Sequence, residues 1–289
     1  MGMNDAAYGA LIPYMGPYYG LSYTIVSLIF LSPFVGYATA AFLNNTIHQR
    51  LGQRGIAMLC SGCHVTAYIV ACLHPPYPVL VVAYLVAGFG NGISDAAWNA
   101  WIGAMANPNE VLGVMHAFYG AGGVFSPLVA TAMITKAGVQ WYEFYYVMIS
   151  VAFVEMMATV TAFWKATGKV YRDAHPKTTD SAGESRMREA LLQMPAARVT
   201  WLCAAFLLCY VGVEVALGGW IVTFMIDVRN GGSFASGMTA TGFWLGLTLG
   251  RVVLGFITPR LGERLALIVC LMTLLSSASS TYRISDRVL

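Results

Sequence analysis

Charged residues are scarce in this sequence: Asp, Glu, Lys and Arg together make up 10% of its 289 residues. Soluble proteins carry roughly a quarter, so this shortage excludes an ordinary soluble domain. The sequence also lacks a Walker loop, a set of metal ligands at a recognisable spacing and a nucleophile motif. We therefore expect neither an enzyme nor a bound metal or cofactor, and no nucleic-acid partner.

Apolar residues are abundant instead, at 58% of the chain, and they form long stretches between short polar breaks. A helix needs about 20 apolar residues to cross a bilayer. The sequence predicts an all-α polytopic membrane protein with seven spans, at residues 22–45, 55–74, 77–105, 110–135, 142–164, 199–226 and 235–258. Residues 1–15 and 265–280 are shorter apolar segments, so we expect a chain cut at both ends, with its first helix incomplete.

The segment CSGCH at residues 60–64 matches the pattern of c-type haem attachment. That attachment needs an exposed segment, and this one lies in the middle of a predicted helix. We therefore interpret the match as coincidence and expect the cysteines to be small buried side chains.

The distribution of Lys and Arg predicts the orientation, because positively charged loops stay on the cytoplasmic side. With the start of the chain inside, the cytoplasmic connections near 46–54, 165–198 and 259–264 hold eleven basic residues. The opposite face holds two, Lys136 and Arg229. Residues 165–198 are also the longest polar stretch, and their Pro, Gly, Ser and mixed charges are typical of a flexible linker.

A pentapeptide repeats: RLGQR at residues 50–54 returns as RLGER at 260–264. The offset of 210 residues aligns Arg50 with Arg260, Gly52 with Gly262 and Arg54 with Arg264 within the pentapeptide, and Gly36 with Gly246 and Cys60 with Cys270 outside it. Both copies lie between two apolar spans on the predicted cytoplasmic side. This pattern favours two parallel halves related by an axis along the membrane normal.

The preceding helices align at an offset of 209 residues, which places Asp5 over Glu214 and Gly9 over Gly218. An acidic residue thus recurs at one place in each predicted half. The segments NDAAYGA at 4–10 and SDAAWNA at 94–100 share a weaker similarity. It indicates a nested repeat of three helices within the first half.

The chain resembles the major facilitator superfamily, whose loop between the second and third helices carries a motif of the type G-x-x-x-D-R-x-G-R-R. That motif recurs between the eighth and ninth helices. Gly36 with QRLGQR, and GLTLGRVVLGFITPRLGER from 246 to 264, are similar to it. The segment GVMHAFYGAGGVFSPLV at 113–129 resembles the fifth helix of the fucose, galactose and glucose proton symporter group and its fungal relatives. The resemblance covers nearly all of residues 2–275.

The resemblance implies two halves of a twelve-helix transporter. We expect a six-helix N-terminal half at 1–164, a cytoplasmic linker at 165–198 and a partial C-terminal half at 199–289 with about three helices. The chain departs from the motif where Gln49 and Pro259 replace its acid, which the family uses in a charge-mediated gate between the halves.

The repeated loop has two interpretations. Its arginines pair with helix C-termini as the halves move, or they only anchor the topology. The residues assigned to this gating motif are Gly36, Arg50, Gly52, Arg54, Gly246, Arg251, Arg260, Gly262 and Arg264.

Charged residues inside the spans are the leading site candidates, because each costs roughly 2.5–3.5 kcal/mol to insert at the membrane centre. Asp5 and Glu214 lie on the first helix of each half, and in this superfamily those helices line the central cavity. We expect them to bind substrate or a proton, the alternative being acids capped by a neighbouring helix or Arg. Glu155 ranks lower because the sixth helix is more peripheral in the family. Arg251 is expected to pair with an intramembrane acid.

A polar stripe on the fourth helix is a second candidate, because Asn91, Asp95 and Asn99 recur every four residues, with Trp98 beside them. Hydroxyl partners and a flat apolar face suit a sugar. The alternative is that these side chains only bridge helices.

The remaining candidates are single residues. Asn4 and Tyr8 accompany Asp5, and Tyr8 and Trp220 are candidate stacking residues, although membrane aromatics more often serve packing. His116 precedes the run GAGG and is a candidate proton or hydroxyl partner. We expect the glycines of that run to permit close packing.

The sequence therefore predicts a secondary active transporter of a small polar solute, with a sugar as the first candidate. We expect protons to be the coupling ion and alternating access to be the mechanism. The alternatives are a non-transporting membrane receptor or sensor on the same scaffold, and a non-functional fragment. We expect a multi-pass monomer in the plasma membrane or an organelle membrane, whose partners are the solute, lipid and protons.

Overall fold

A computed structural model of the protein describes residues 1–105, 108–174 and 191–262, together with residues 189, 264, 265, 268, 269 and 272. Over these residues the secondary structure is helical, as predicted. The elements in chain order are α1 (Gly2–Tyr19), α2 (Tyr23–Val26), α3 (Leu28–Cys72), α4 (Tyr77–Gly103), α5 (Pro108–Lys136), a 3-10 turn (Trp141–Glu143), α6 (Phe144–Ala162), α7 (Gly168–Ala174), α8 (Ala196–Asp227) and α9 (Ser233–Leu261).

Five helical segments of the described chain are long and apolar enough to cross a membrane. They are Tyr23–Cys72, Tyr77–Gly103, Glu110–Lys136, Trp141–Ala162 and Ala197–Asp227. The first of them covers two predicted spans, so the five segments account for six of the seven predictions. The seventh predicted span, 235–258, lies within α9 and is helical but is not among the five.

Helix α1 is longer than the predicted apolar segment at 1–15. It continues past Pro13 and Pro17 to Tyr19, and it ends at Gly20 in the left-handed conformation (φ 62°). Its 18 residues correspond to about 27 Å at the rise of an α-helix.

The helical run of α3 contains a sharp turn at Gly52, whose φ is 66° and ψ −175°. Because this conformation is open essentially to glycine alone, the residue divides the run into the two predicted spans. Its repeat partner Gly262 has a φ of 83°. The two copies of the pentapeptide therefore share a left-handed glycine.

The turn at Gly52 packs against the chain that follows α6. The backbone N–H of Arg54 donates to the carbonyl of Ala166 at 3.0 Å, and its guanidinium donates to the carbonyl of Trp164 at 3.1 Å. Arg172 of α7 donates to the carbonyl of Gln49 at 2.9 Å. Residues 164–174 are therefore held by the turn.

This contact corrects part of the linker prediction. Residues 165–198 were expected to be flexible, but 168–174 form α7 and bind the turn, and α8 begins at Ala196. The polar composition of this segment is visible in the sequence. The bond between Arg172 and the carbonyl of Gln49 is not, because it depends on how the segment packs. Linker residues 175–188 and 190 lie outside the described residues, as do Cys270 and most of the segment 265–280.

Glycines bring the helices into backbone contact. A Cβ atom at Gly9 of α1 would lie 2.0 Å from the carbonyl oxygen of Gly218 of α8, and one at Gly36 would lie 2.3 Å from the carbonyl oxygen of Leu85 on α4. The GAGG glycines pack closely, as predicted, since a Cβ at Gly120 would lie 2.3 Å from the Thr248 hydroxyl of α9.

The contact between Gly9 and Gly218 bears on the predicted repeat. These residues align with each other at the offset of 209 residues, and they also touch each other in the bundle. A Cβ at Gly218 would instead meet the rings of Phe243 and Trp244 on α9. The contact is therefore one-sided, and the two pseudo-symmetric halves stay a prediction.

We predict that Gly52→Ala lowers the free energy of unfolding by at least about 2 kcal/mol, through backbone strain and a clash. A Cβ there would lie 2.5 Å from the Thr167 backbone, whereas nothing lies within 4 Å of one at Gly262. Gly262→Ala is the matched control and should cost only the strain, about 1 kcal/mol. Detergent-titration unfolding of both variants measures this, and equal losses would show that the packed turn contributes nothing.

Candidate functional site

The carboxylate of Asp5 accepts hydrogen bonds from three helices inside the bundle. Its Oδ1 accepts from the Asn91 amide of α4 at 2.8 Å and from the Asn4 amide of α1 at 3.2 Å. Its Oδ2 accepts from the Tyr119 hydroxyl of α5 at 2.9 Å. The donors are all neutral, so they satisfy the carboxylate oxygens without cancelling the charge.

Close packing of α1 on α5 positions Tyr119 for this contact. A Cβ at Gly2 would lie 1.9 Å from the Tyr119 carbonyl oxygen, so only glycine permits this approach. Two turns further along α5, the Ser126 hydroxyl donates to the carbonyl of Met3 at 2.6 Å. The two helices are thus fixed against each other around Asp5.

Asn4 extends the network through two phenol groups. Its amide donates to the hydroxyl of Tyr8 at 3.0 Å, and its carbonyl oxygen accepts from the hydroxyl of Tyr68 at 3.1 Å. Asn4 is 2% exposed, so these bonds are what allow a primary amide to be buried there.

His64 of α3 continues the network on the other side of Asn91. Its Nε2 lies 2.8 Å from the Asn91 Oδ1. Its Nδ1 lies 3.9 Å from a carboxylate oxygen of Glu155 on α6. The imidazole ring stacks parallel to that of Tyr68, with centroids 5.8 Å apart. Side chains from α1, α3, α4, α5 and α6 therefore form one connected polar cluster.

Glu214 of α8 forms an ion pair with Arg251 of α9, as the sequence predicted for Arg251. The arginine Nη2 lies 2.8 Å and 3.0 Å from the two carboxylate oxygens, and it also donates to the Tyr210 hydroxyl at 3.2 Å. The Arg251 guanidinium carbon lies 6.0 Å from the centroid of the Tyr119 ring. Tyr119 therefore touches both Asp5 and the cation that neutralises Glu214.

A cavity of about 490 Å³ adjoins the polar cluster. Tyr68, Tyr119 and Glu155 of the cluster line it, and so do Asp95, Trp98 and His116. Ligand cavities commonly measure about 300–1,000 Å³, so a small solute fits this volume.

The structure brings together four of the predicted site residues, Asn4, Asp5, Tyr8 and Asn91. Tyr8 is 5% exposed and packs edge-on against the Tyr84 ring at 5.2 Å. It is therefore a buried member of the network, and its ring offers no open face to a solute.

The polar stripe of α4 divides into two parts. Asn91 points to Asp5, whereas the Asn99 amide donates to the side chain of Asp95 one turn away, at 2.8 Å. Trp98 lies at the cavity wall, but its ring stacks on Phe163 at 4.8 Å. Helical periodicity places these side chains on one side of α4 and does not reveal that two different neighbours cover that side.

Two predicted residues lie apart from the cluster. His116 is exposed at the cavity wall. Trp220 of α8 packs beside Tyr23 and Phe30, with ring centroids 5.7 Å and 6.0 Å away. Its ring joins α8 to α2 and α3, a contact that the Tyr23 hydroxyl extends by donating to Asp227.

The loop-motif residues have different surroundings in the two copies. Arg54 and Gly52 pack on the chain after α6, and Gly36 packs on α4. In the second copy, Arg260, Gly262 and Arg264 are exposed, and nothing lies within 4 Å of a Cβ at Gly246. The side chain of Pro259 lies outside the described residues. A gating role for these residues stays a prediction.

Sequence reasoning missed three members of the cluster, His64, Tyr68 and Tyr119, and gave Glu155 a low rank. The histidine was considered only as part of CSGCH. A titratable side chain in the middle of an apolar span is itself a signal, and the spacing of His64 and Tyr68 places them on one helix face.

Comparison with known proteins agrees with this architecture. The family model described as Major Facilitator Superfamily matches residues 1–285. The chain belongs to the major facilitator superfamily. No solved structure matches it significantly.

Two curated relatives are similar to this superfamily member. Bypass of stop codon protein 6 of Saccharomyces cerevisiae is 29% identical over 280 residues, which cover 91% of this chain and 55% of that protein. The glucose/mannose transporter GlcP of Bacillus subtilis is 20% identical over 263 residues, which cover 90% of this chain and 64% of that protein. The chain thus spans little more than half of the first relative and less than two thirds of the second.

We predict that Asn91→Leu destabilises the bundle by more than about 1 kcal/mol, because it leaves the buried His64 Nε2 without its partner and removes one of the three donors to Asp5. Asn99→Leu is the matched control, since the Asn99 amide bonds only within α4, to Asp95. It should cost less than about 0.5 kcal/mol. Thermal unfolding in detergent compares the two, and equal midpoints would contradict a structural role for the Asp5 cluster.

Proposed function

We propose that this member of the major facilitator superfamily is a secondary active transporter of a small polar solute that works by alternating access. The superfamily supports transport, and several apolar helices make the protein an integral multi-pass membrane protein. One observation carries the proposal further. Asp5 on α1 is joined through Tyr119 to the Glu214–Arg251 pair on α8 and α9.

Proton coupling follows from the chemistry of this link. An ionised carboxylate inside the membrane accepts strongly from its donors, and a protonated one accepts more weakly and can itself donate. Protonation of Asp5 therefore loosens its bond with Tyr119, and Tyr119 also contacts Arg251. A proton bound in the first half in this way changes a contact with the second half, which is the coupling that alternating access needs.

A sugar is the proposed solute class. The amide, carboxylate, imidazole and phenol groups beside the cavity offer both donors and acceptors to hydroxyl groups. GlcP, which covers 90% of this chain at 20% identity, is named as a glucose/mannose transporter. Asp95, His116 and Tyr119 line the cavity and are the proposed solute contacts, with Trp98 also at its wall.

The proposed orientation places the Gly52 turn, α7 and the linker in the cytoplasm. The turn and the segment 164–174 bind each other, which puts the basic residues of both on one membrane face. The halves 1–164 and 199–289 move about the contact of α1 with α8. We place the protein in the plasma membrane or an organelle membrane.

We predict that Asp5→Asn abolishes proton-driven accumulation and preserves solute exchange. Radiolabelled hexose uptake into vesicles measures both, using the protein as its gene encodes it, with and without a protonophore. Accumulation should fall at least about fivefold, the lower end of typical coupling. Asp173→Asn on the exposed α7 is the matched control and should leave accumulation unchanged. Accumulation that survives in Asp5→Asn would refute this coupling site, and hexose binding without flux in the native protein would indicate a receptor.

The ion pair on the second half gives an independent prediction. Arg251→Gln alone should impair exchange because it leaves the Glu214 carboxylate, 11% exposed, without its cation. The double variant Glu214→Gln with Arg251→Gln removes both charges and should recover most of the exchange rate. Initial rates of both variants, normalised to protein in the vesicle, test this. A double variant no better than the single one would show that Arg251 acts other than by neutralising Glu214.

A further inference from the structure

His64 is buried between two hydrogen-bonding groups on different helices. Its side chain is 1% exposed, and its two ring nitrogens face Asn91 of α4 and Glu155 of α6. The imidazole therefore has one polar neighbour for each nitrogen.

The neighbouring amide fixes which nitrogen carries a hydrogen. The Asn91 Nδ2 donates to Asp5 at 2.8 Å, so its Oδ1 is the atom 2.8 Å from His64 Nε2. An amide oxygen only accepts. Nε2 must therefore carry the hydrogen, and Nδ1 is the nitrogen that faces Glu155.

The second nitrogen faces another acceptor. In a neutral imidazole protonated at Nε2, the Nδ1 atom can only accept a hydrogen bond. The ionised carboxylate of Glu155 can also only accept. Their separation of 3.9 Å is longer than a hydrogen bond, and a proton added to either group turns it into a donor to the other. With the proton on nitrogen they form an ion pair, and with the proton on Glu155 they form a neutral hydrogen bond.

We infer that His64 and Glu155 form a proton-binding site that holds one proton between Nδ1 and the Glu155 carboxylate, in addition to the site at Asp5. The site deepens the proton coupling proposed above and rests on it for its role in transport.

The proton reaches this site from the cavity. Glu155 lines the cavity, and its side chain is 34% exposed, whereas that of His64 is 1% exposed. Glu155 is thus the member of the pair that exchanges protons with water, and His64 is the member that connects it to the interior.

Other titratable and charged groups surround the pair on every side. They are Cys60, Cys63 and Tyr68 on α3, Tyr145 on α6, Asp95 on α4, Asp5 and Tyr8 on α1, and the amino group of Met1 just before α1. The Met1 amino group is the one cation among them.

Asn91 links the new site to Asp5. Its amide nitrogen donates to Asp5 at 2.8 Å, and its oxygen accepts from His64 Nε2 at 2.8 Å. A change of protonation at either group therefore changes a hydrogen bond of the amide that the two share.

The test is a pH titration of the purified 289-residue protein, labelled with ¹⁵N-histidine and reconstituted in lipid nanodiscs. Nitrogen chemical shifts report the hydrogen on each ring atom, and His64→Gln identifies the His64 signals. We expect Nε2 to stay protonated while Nδ1 gains a proton as the pH falls. Glu155→Gln should weaken proton binding at Nδ1 at least about tenfold, because it removes the opposing charge.

Two further variants keep the result interpretable. Glu110→Gln, at the exposed start of α5, is the matched control and should leave the His64 titration unchanged. Glu155→Asp withdraws the carboxylate by one methylene and should give an intermediate shift. An unchanged signal from His48, which is buried elsewhere in the bundle, verifies that each variant is folded.

An unchanged His64 titration in folded Glu155→Gln, or a hydrogen at Nδ1 in place of Nε2 at high pH, would overturn the inference. The measurement reads proton binding in the resting protein. Absence of hexose flux would therefore refute the transporter and leave this site standing.

Discussion

A carboxylate placed inside a membrane must find hydrogen-bond donors, because the hydrocarbon offers none. Insertion of such a group at the bilayer centre costs roughly 2.5–3.5 kcal/mol. Asp5 meets this constraint with the amides of Asn4 and Asn91 and the hydroxyl of Tyr119. The relative rotations of α1, α4 and α5 are those that aim these three donors at one side chain.

Small residues make that convergence possible. Gly2 lets the Tyr119 backbone approach α1, Gly9 lets α1 touch Gly218 of α8, and Gly120 lets α5 approach α9. At Gly2 and Gly9 two backbones meet directly, and at Gly120 the Thr248 side chain occupies the space that a Cβ would need. Tyr119 consequently contacts Asp5 on one side and Arg251 on the other, and the polar groups of two predicted halves become neighbours.

The sequence predicted much of this framework from local features. Apolar length located the helices, the repeated pentapeptide located the left-handed glycines Gly52 and Gly262, and the cost of buried charge singled out Asp5. These predictions work because each depends on the residue itself or on its neighbours along the chain. The family resemblance, carried by the same residues, was confirmed by the match over residues 1–285.

What the sequence could not supply was the rotation of each helix against its neighbours. Asn91 and Asp95 share a stripe on α4, yet one bonds to Asp5 and the other to Asn99. Trp98 was expected to offer a sugar its flat face, and Phe163 covers that face. His64 looked like part of a chance haem pattern until the structure placed Asn91 and Glu155 beside its two nitrogens. Apart from the bond between Asp95 and Asn99, these pairings join residues at least 27 positions apart in the chain.

The central claim is that Tyr119 couples Asp5 to the charges of the second half. A double-mutant cycle of Asp5→Asn and Arg251→Gln on the free energy of unfolding in lipid–detergent mixtures measures that coupling directly. The same cycle in a Tyr119→Phe background keeps the ring beside residue 251 and removes the hydroxyl. We expect non-additivity of at least about 0.5 kcal/mol with tyrosine, falling toward additivity with phenylalanine. Additive effects in both backgrounds, or equal coupling in both, would contradict this account.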